Sequence, residues 1–396
     1  MFGPGRTYIM NIIVLGYIVR GPLGGLAWHH LQYVAGLQRL GHRVTFLEDS
    51  DEYTSCFDPV RNVMDIDPSC GLAFTQRVFE RLGLGSDWAY YDQHKQRWHG
   101  PLGAAARKVC GGADLLLDLS GVNPIRSWLE PIPVRVLIDT DPVFTQVRHL
   151  LSDWSLGRAR KHNVFFSFGE NLADRAASGC TGPDDGFCWQ ATRQPVVADL
   201  WPVQPPELPP REACWTTVMQ WDSYKSETFQ GREFGMKSLS FKPYLELPRR
   251  FPAGTFELAM PVNASAALLR ERGWRVVEAQ AAAADPWAYQ AYLRRSRGEF
   301  SIAKQGYVST RCGWFSERSC AYLASGRPVV VQDTGLERLY PLGRGVLTFR
   351  DPDEAEQAVR RVNEDYAAQC AAARAFVEEQ FDYRKVLGDL LRAIGV

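Results

Sequence analysis

Residues 311–335, RCGWFSERSCAYLASGRPVVVQDTG, decide the fold of this chain. Gly313 supplies a flexible turn, and Ser316 is an N-cap whose hydroxyl accepts from the first helical turn. A helix is predicted over Glu317 to Ser325, and Gly326 stands where a left-handed residue ends it. Pro328 to Gln332 then reads as a short buried parallel strand. A helix opening out of a glycine turn aims unpaired backbone N–H groups one way and binds anions, phosphate above all. Gly-x-Pro alone also fits an ordinary helix–strand crossover. The sharper reading rests on the agreement of turn, cap, helix, stop and strand.

The segment resembles the donor-binding motif of GT-B-fold glycosyltransferases. Thr310 to Ser316 is similar to the Thr-His-Cys-Gly-Trp-Asn-Ser run of family 1 nucleotide-sugar transferases. Ala324 to Val330 is similar to the Ala-x-Gly-x-Pro-Val-Val ending shared with family 4. The resemblance implies that Arg311, Gly313, Trp314, Phe315 and Ser316 hold the diphosphate of a sugar nucleotide. Arg311 replaces the family 1 His, and a guanidinium can meet phosphate bidentately. Ala321 stands where family 4 has its ribose Glu. Glu317, one turn earlier on the same face, is the expected substitute. Asp333 and Thr334 fall near where the family 1 Asp-Gln pair contacts sugar hydroxyls.

The other end of the chain carries a second piece. Asn11 to Leu15 is a short apolar strand, followed by a loop with Gly16, Gly21, Gly24 and Gly25. An amphipathic helix follows from about Ala27 to Leu40, then Gly41, then a strand from Arg43 to Leu47. This is a βαβ unit with a glycine-rich first turn. Gly24-Gly25, His29 and Gly41-His42 resemble the Gly-Gly-x-x-x-His … Gly-His-x-Val opening of family 4, which implies a donor contact at the two glycines. His29 is a candidate base. A Rossmann dinucleotide site wants Gly-x-Gly-x-x-Gly close to the strand end, a spacing this loop lacks.

With 396 residues the chain exceeds one typical core, so two domains are expected. The expected fold is α/β: two Rossmann-like domains facing a cleft, with a C-terminal helix crossing back. The expected domains are an acceptor-binding one over 10–200, a donor-binding one over 212–380 and a crossover helix over 381–396. Between them Trp201 to Arg211, WPVQPPELPPR, reads as a stiff extended linker. The second domain is expected to alternate strands and helices, including a helix near Met236 to Leu245. Asp51 to Gly103, rich in Trp and Tyr, reads as irregular apart from a helix near Phe74 to Leu82, and as shaping the acceptor side.

Lys304, just past a strand, and Lys225, after the first strand of the second domain, sit on the carboxyl edge where open α/β sheets bind ligands. Both are candidates for the diphosphate. Asp139 and Asp141, directly after a strand of the first domain, read as turn and cap residues or as a base and acceptor contact. Arg193 reads as a residue of the domain surface or of the cleft.

A formal net charge of zero argues against a nucleic-acid or membrane partner held by bulk electrostatics, though it leaves a base acceptor open. No apolar run approaches a membrane span. Met1 to Ile9 lacks the features of a signal peptide and reads as an extension or a sign of an alternative start at Met10. Nine cysteines without a Cys-x-x-Cys pair fit free thiols in a reducing cytosol. No Asp-x-Asp is placed for a metal, since Asp65-Ile66-Asp67 lies in the irregular segment.

The expected activity is metal-independent sugar transfer from a nucleotide-diphosphate sugar, its only co-substrate, to an unknown acceptor; no cofactor is expected. A sugar-nucleotide 2-epimerase of the same fold, a non-catalytic nucleotide-sugar sensor and, less well, a NAD(P) dehydrogenase are the rivals.

Overall fold

The computed structural model of the protein describes residues 9–203 and 213–395. The prolines at 205–210, the heart of the expected linker, lie outside the described residues. Two sheets dominate. The first has eight strands in the order Trp189–Ala191, Val164–Ser167, Val134–Asp139, Leu115–Leu119, Asn11–Leu15, Arg43–Asp49, Trp88–Asp92 and Arg97–His99. Only Arg97–His99 runs antiparallel to its neighbour. The second has six parallel strands in the order Arg275–Val277, Phe256–Ala259, Trp215–Val218, Gly298–Ser301, Val329–Gln332 and Val346–Phe349. Both are doubly wound, so the carboxyl ends of their strands form the ligand-binding edge.

The motif segment folds as its residues dictate. Ser316 caps the helix Glu317–Ala324, its Oγ accepting from the Arg318 N–H at 3.2 Å. Gly326 takes φ +70°, a conformation only glycine adopts without strain, and lets Arg327 N–H reach the Tyr322 carbonyl at 2.9 Å. Val329 to Gln332 is buried throughout, the apolar run of a central parallel strand.

Three elements depart from the sequence reading. Residues 51–103 are not irregular: besides the helix expected near 74–82, found as Ser69–Arg81, they hold a hairpin (Cys56–Asp58 with Val63–Asp65) and the strand Trp88–Asp92. That strand is buried on both faces, so it lacks the alternation that marks a half-exposed strand. The helix expected over 236–245 stops at Phe241, because Pro243 has no N–H to continue it, and a short 3₁₀ turn follows. The short helix Gln305–Thr310 and the strand Val346–Phe349 carry too few periodic residues to stand out.

Contacts at the back and at the front join the domains. At the back, the C-terminal helix Tyr383–Ala393 lies on the first helix, Gly24–Arg39, where a Cβ on Gly36 would meet Leu387 at 2.7 Å. The chain entering that helix pairs with the first domain through Val196 N–H to Phe381 O (2.7 Å) and Tyr383 N–H to Val196 O (3.1 Å). At the front, the turn at 311–313 docks on Asn171 of the first domain. Asn171 donates from its backbone to Cys312 O at 3.1 Å and from its amide to Arg311 O and Gly335 O at 2.8 and 2.9 Å.

Candidate active-site cleft

A cleft of about 890 Å³ opens between the two carboxyl edges, within the usual range for small-molecule sites. The second domain contributes the start of the motif helix (Ser316, Glu317 and Arg318), Lys237, Lys304 and Trp314. The first contributes Gly25, His29, Asp141 and the hairpin tip at Pro59 and Val60.

Arg318 and Lys237 were not singled out from the sequence, yet both line the second-domain wall of the cleft. Arg318 is one-tenth exposed and forks three ways: Nε to Glu299 Oε1 at 2.5 Å, Nη1 to Val218 O at 3.0 Å and Nη2 to Ser301 Oγ at 2.8 Å. Lys237 opens the short helix Lys237–Phe241 and has no hydrogen-bond or carboxylate partner among the described residues. Burial, with Arg318 and Lys304 nearby, holds its ammonium well below the ordinary lysine value. Glu317 and Glu299 oppose that shift without pairing with the lysine, and a bound anion would favour its charged form.

Lys304 is differently employed. Its Nζ donates to Asp141 Oδ1 at 2.7 Å and to the Tyr224 hydroxyl at 2.8 Å, and it lies 4.4 Å from the centre of the Tyr224 ring. Asp141 also accepts from Arg148 Nη2 at 2.9 Å and from the Tyr224 and Tyr307 hydroxyls. Burial alone raises its carboxyl. Lys304 and Arg148 more than reverse this and hold it well below the usual carboxylate range. Asp141 is thus a permanently charged clamp between domains, unsuited to take a proton as a base.

Several expected site residues stand elsewhere. Asp139 is buried and accepts from Thr145 Oγ1 (2.7 Å), Gln146 Nε2 (3.1 Å), Ser167 Oγ (2.8 Å) and the Asp141 N–H (2.9 Å). It fixes the loop and does not face the cleft. Arg311 caps the helix Gln305–Thr310 in a left-handed conformation, φ +52°. Its side chain, 43% exposed, turns to Glu337 and Asp333, away from the cleft. Gly313 donates its N–H to Thr334 O at 2.8 Å, so that group serves the turn. Phe315 packs on Phe381 and Tyr340 in the core. Asp333 caps the 333–336 turn through Gly335 and Leu336 N–H at 2.8 and 3.1 Å, and Thr334 Oγ1 donates to Trp314 O at 2.7 Å. Lys225 is exposed and off the cleft, because the chain detours through the hairpin at 227–234 before returning to the sheet edge at Lys237. Arg193 bridges the domains behind the cleft, donating to Glu170 Oε2 at 2.5 Å and to Gln380 O at 3.3 Å.

The glycine-rich first loop is also otherwise engaged. The N–H groups of Ile18, Val19 and Arg20 all donate to the buried Glu48 carboxylate at 2.6 to 2.7 Å, so this nest of donors already holds an anion from the chain itself. Gly24 serves domain contact: a Cβ there would meet Asp285 O at 2.1 Å. Gly25 does reach the cleft, against the Tyr289 ring.

His29 keeps a free lone pair. The Gln194 amide donates to His29 O and Pro195 O, both at 3.1 Å, which leaves its Oε1 as an acceptor. His29 Nδ1–H therefore donates to that oxygen at 2.6 Å, and Nε2 is a buried acceptor without a partner. His30 beside it is neutral too, with Nδ1–H donating to Leu26 O at 2.9 Å and Nε2 accepting from Tyr17 N–H at 3.2 Å.

Burial lowers the His29 imidazole below its ordinary value despite Glu317 and Gln194, and burial, with His29 alongside, lowers His30 further. A depressed folded value means that the unfolded chain binds protons that the native chain refuses. The two histidines impose no penalty above about pH 6.5, and stability falls by up to about 1.4 kcal/mol per pH unit for each below it. Urea unfolding at pH 7.5 and 5.5 checks this, and His30→Gln should remove about half of the slope. A midpoint unchanged between the two pH values would show that neither imidazole is held neutral.

Residues 252–392 match a sequence family described as glycosyl transferase-like. Among curated proteins no relative matches the sequence. Solved structures do resemble the whole chain. An alpha-glucosyltransferase in complex with UDP-glucose and DNA containing an abasic site superposes with a TM-score of 0.57 at 12% identity, covering 98% of this chain and 100% of that one. HepE of Anabaena in complex with UDP and glucose gives 0.54 at 12%, covering 97% and 99%. AviGT4, a glycosyltransferase involved in avilamycin A biosynthesis, gives 0.54 at 12%, covering 97% and 96%. The chain has the GT-B fold of glycosyltransferases, and most of its second domain carries the glycosyl transferase-like sequence family.

Proposed function

We propose that the protein transfers a sugar from a nucleoside-diphosphate donor, held by the second domain, to an acceptor held by the first. The observation that carries this is Lys237, which has no carboxylate within ion-pair distance among the described residues, in one cleft with Arg318 and the N-terminal end of the motif helix. A diphosphate supplies the direct anionic partner that Lys237 lacks, with a guanidinium and a helix dipole beside it. The binding of UDP and UDP-glucose by structures of the same fold supports it.

In the transfer the acceptor oxygen bonds to the anomeric carbon as the bond from that carbon to the diphosphate oxygen breaks. The bonding pair leaves with the nucleoside diphosphate, and the acceptor proton passes to His29 Nε2. Charge developing on the leaving group is met by Lys237 and Arg318, so the reaction is proposed to run without a divalent ion. Glu317, which lines the cleft, is assigned in this reading to accept hydroxyls of the donor. Asp141 and Lys304 hold the domains together around the substrates. The proposed boundaries are those expected from the sequence, 10–200, 212–380 and 381–396. Among the described residues no helix is long and apolar enough to cross a membrane. None of the cysteines is in a disulfide, which agrees with a cytoplasmic location.

Calorimetry with UDP, GDP, ADP and dTDP in EDTA tests the donor site. One of the four should bind, and Lys237→Ala should weaken it by about 1.5–3 kcal/mol, the range for a charge-assisted hydrogen bond. Affinity unchanged in Lys237→Ala, or binding only when Mg²⁺ is restored, would sink the assignment. Isomerised sugar nucleotide formed from donor alone would mark an epimerase instead.

A further inference from the structure

The acceptor half of the cleft has its own chemistry, and it is apolar. The hairpin Cys56–Asp58 with Val63–Asp65 is tied to the first domain by Phe57 N–H to Arg20 O at 2.9 Å. Its turn is built by Asp58, whose Oδ1 accepts from the N–H groups of Val60 and Arg61 at 2.9 and 3.1 Å. This Asx turn pushes Pro59 and Val60 out as a rigid tip on the wall of the cleft. Val60 is 84% exposed and Met64 is 56% exposed, with Val63 and Ile66 also open to solvent. Leaving Val60 uncovered at the cleft, with Met64 open on the same hairpin, forfeits apolar burial that a ligand can recover.

The charges around this mouth are already spent. On the same edge of the first domain Arg20 is held by Glu48 at 3.4 Å, Arg126 by Asp49 at 3.0 Å, Arg158 by Asp51 at 2.7 Å and Arg148 by Asp141 at 2.9 Å. Glu52, Asp58 and Asp67 add negative charge along the rim. A nucleic-acid backbone needs several uncommitted cations to displace its counterions. This edge presents mainly paired arginines and acids; on the hairpin itself Arg61 lies 3.9 Å from Asp65, and the exposed Lys95 acts on Asp67.

We infer that the hairpin, with Val60 at its tip on the cleft and Met64 on its second strand, is the acceptor subsite, and that it takes an uncharged acceptor whose aromatic or aliphatic body packs on the hairpin while its hydroxyl enters the cleft toward His29. This rests on the transfer reading above and narrows it to a substrate class. It sets the protein apart from the DNA-bound glucosyltransferase of the same fold.

Nile red, a neutral aromatic probe, tests the surface without a known acceptor. At saturating UDP the wild type should enhance its fluorescence, and Val60→Glu/Met64→Glu should weaken probe binding about tenfold or more. Both residues are on the surface, so the variant should keep the wild-type circular dichroism, and its UDP affinity should stay within about twofold. A short DNA duplex at low ionic strength should show no binding. Equal probe binding by the variant, loss of its UDP affinity, or tight binding of the duplex would each overturn the assignment. A wild type that binds no nucleoside diphosphate but still loses the probe in the variant would overturn the donor reading and leave the apolar subsite standing.

Discussion

Arg318→Ala should destabilise the protein by about 3–5 kcal/mol and abolish measurable donor binding, because it strips the ion-pair partner from a buried carboxylate. Glu299 is fully buried on the strand Gly298–Ser301, and its second oxygen, Oε2, has no hydrogen-bond partner. Removing the guanidinium leaves that buried carboxylate without its hydrogen-bonded counter-charge. It also frees the Val218 carbonyl and the Ser301 hydroxyl, which Arg318 now satisfies. Arg318→Lys keeps the charge but has no planar fork to meet three acceptors at once, so an intermediate loss is expected. The paired change Arg318→Met/Glu299→Gln removes both charges together and should recover much of the stability while donor binding stays lost. Urea unfolding of the four proteins measures the coupling. A loss below about 1 kcal/mol in Arg318→Ala would show that Glu299 does not depend on it.

That pair also shows where the sequence stops being legible. The local features of the motif could be read because each is decided within a few residues: Ser316 caps its own helix and Gly326 ends it. The cations that matter are decided by distant partners. Arg318 looks like a surface residue of a short helix until Glu299, on the neighbouring strand, is brought beneath it. Lys237 is separated from the strand Trp215–Val218 by a hairpin, so Lys225, nearer in sequence, looked better placed. Arg311 sits where the family resemblance puts a donor contact. Its left-handed backbone and two acids beyond the next strand turn the side chain away. Glu48 filling the first loop is the same kind of event, since nothing local links it to residues 18–20. Period and cap chemistry located the sheets and the cleft. Which side chains face that cleft depended on pairings across it.

Deleting residues 383–396 should unfold the first domain while the second keeps much of its donor affinity. The helix Tyr383–Ala393 buries Val386, Leu387, Leu390 and Leu391 against the first helix. At about 1.5–3 kcal/mol for each buried aliphatic side chain, the four together contribute of the order of 6–12 kcal/mol as an upper figure. That is comparable with the whole stability of a typical domain. The groups proposed to hold the diphosphate, Lys237, Ser316 and Arg318, all lie in the second domain and do not touch this helix. Leu387→Ala is the graded version. It should cost about 2–5 kcal/mol, because Leu387 is completely buried and Gly36 leaves it no room to be replaced by a shifted neighbour. Its UDP affinity should be unchanged at temperatures where it remains folded. Thermal unfolding with and without UDP separates the two effects: two transitions are expected, only the later one raised by the nucleotide. A single transition that moves as a whole, in both wild type and Leu387→Ala, would mean that the C-terminal helix fuses the domains into one cooperative unit.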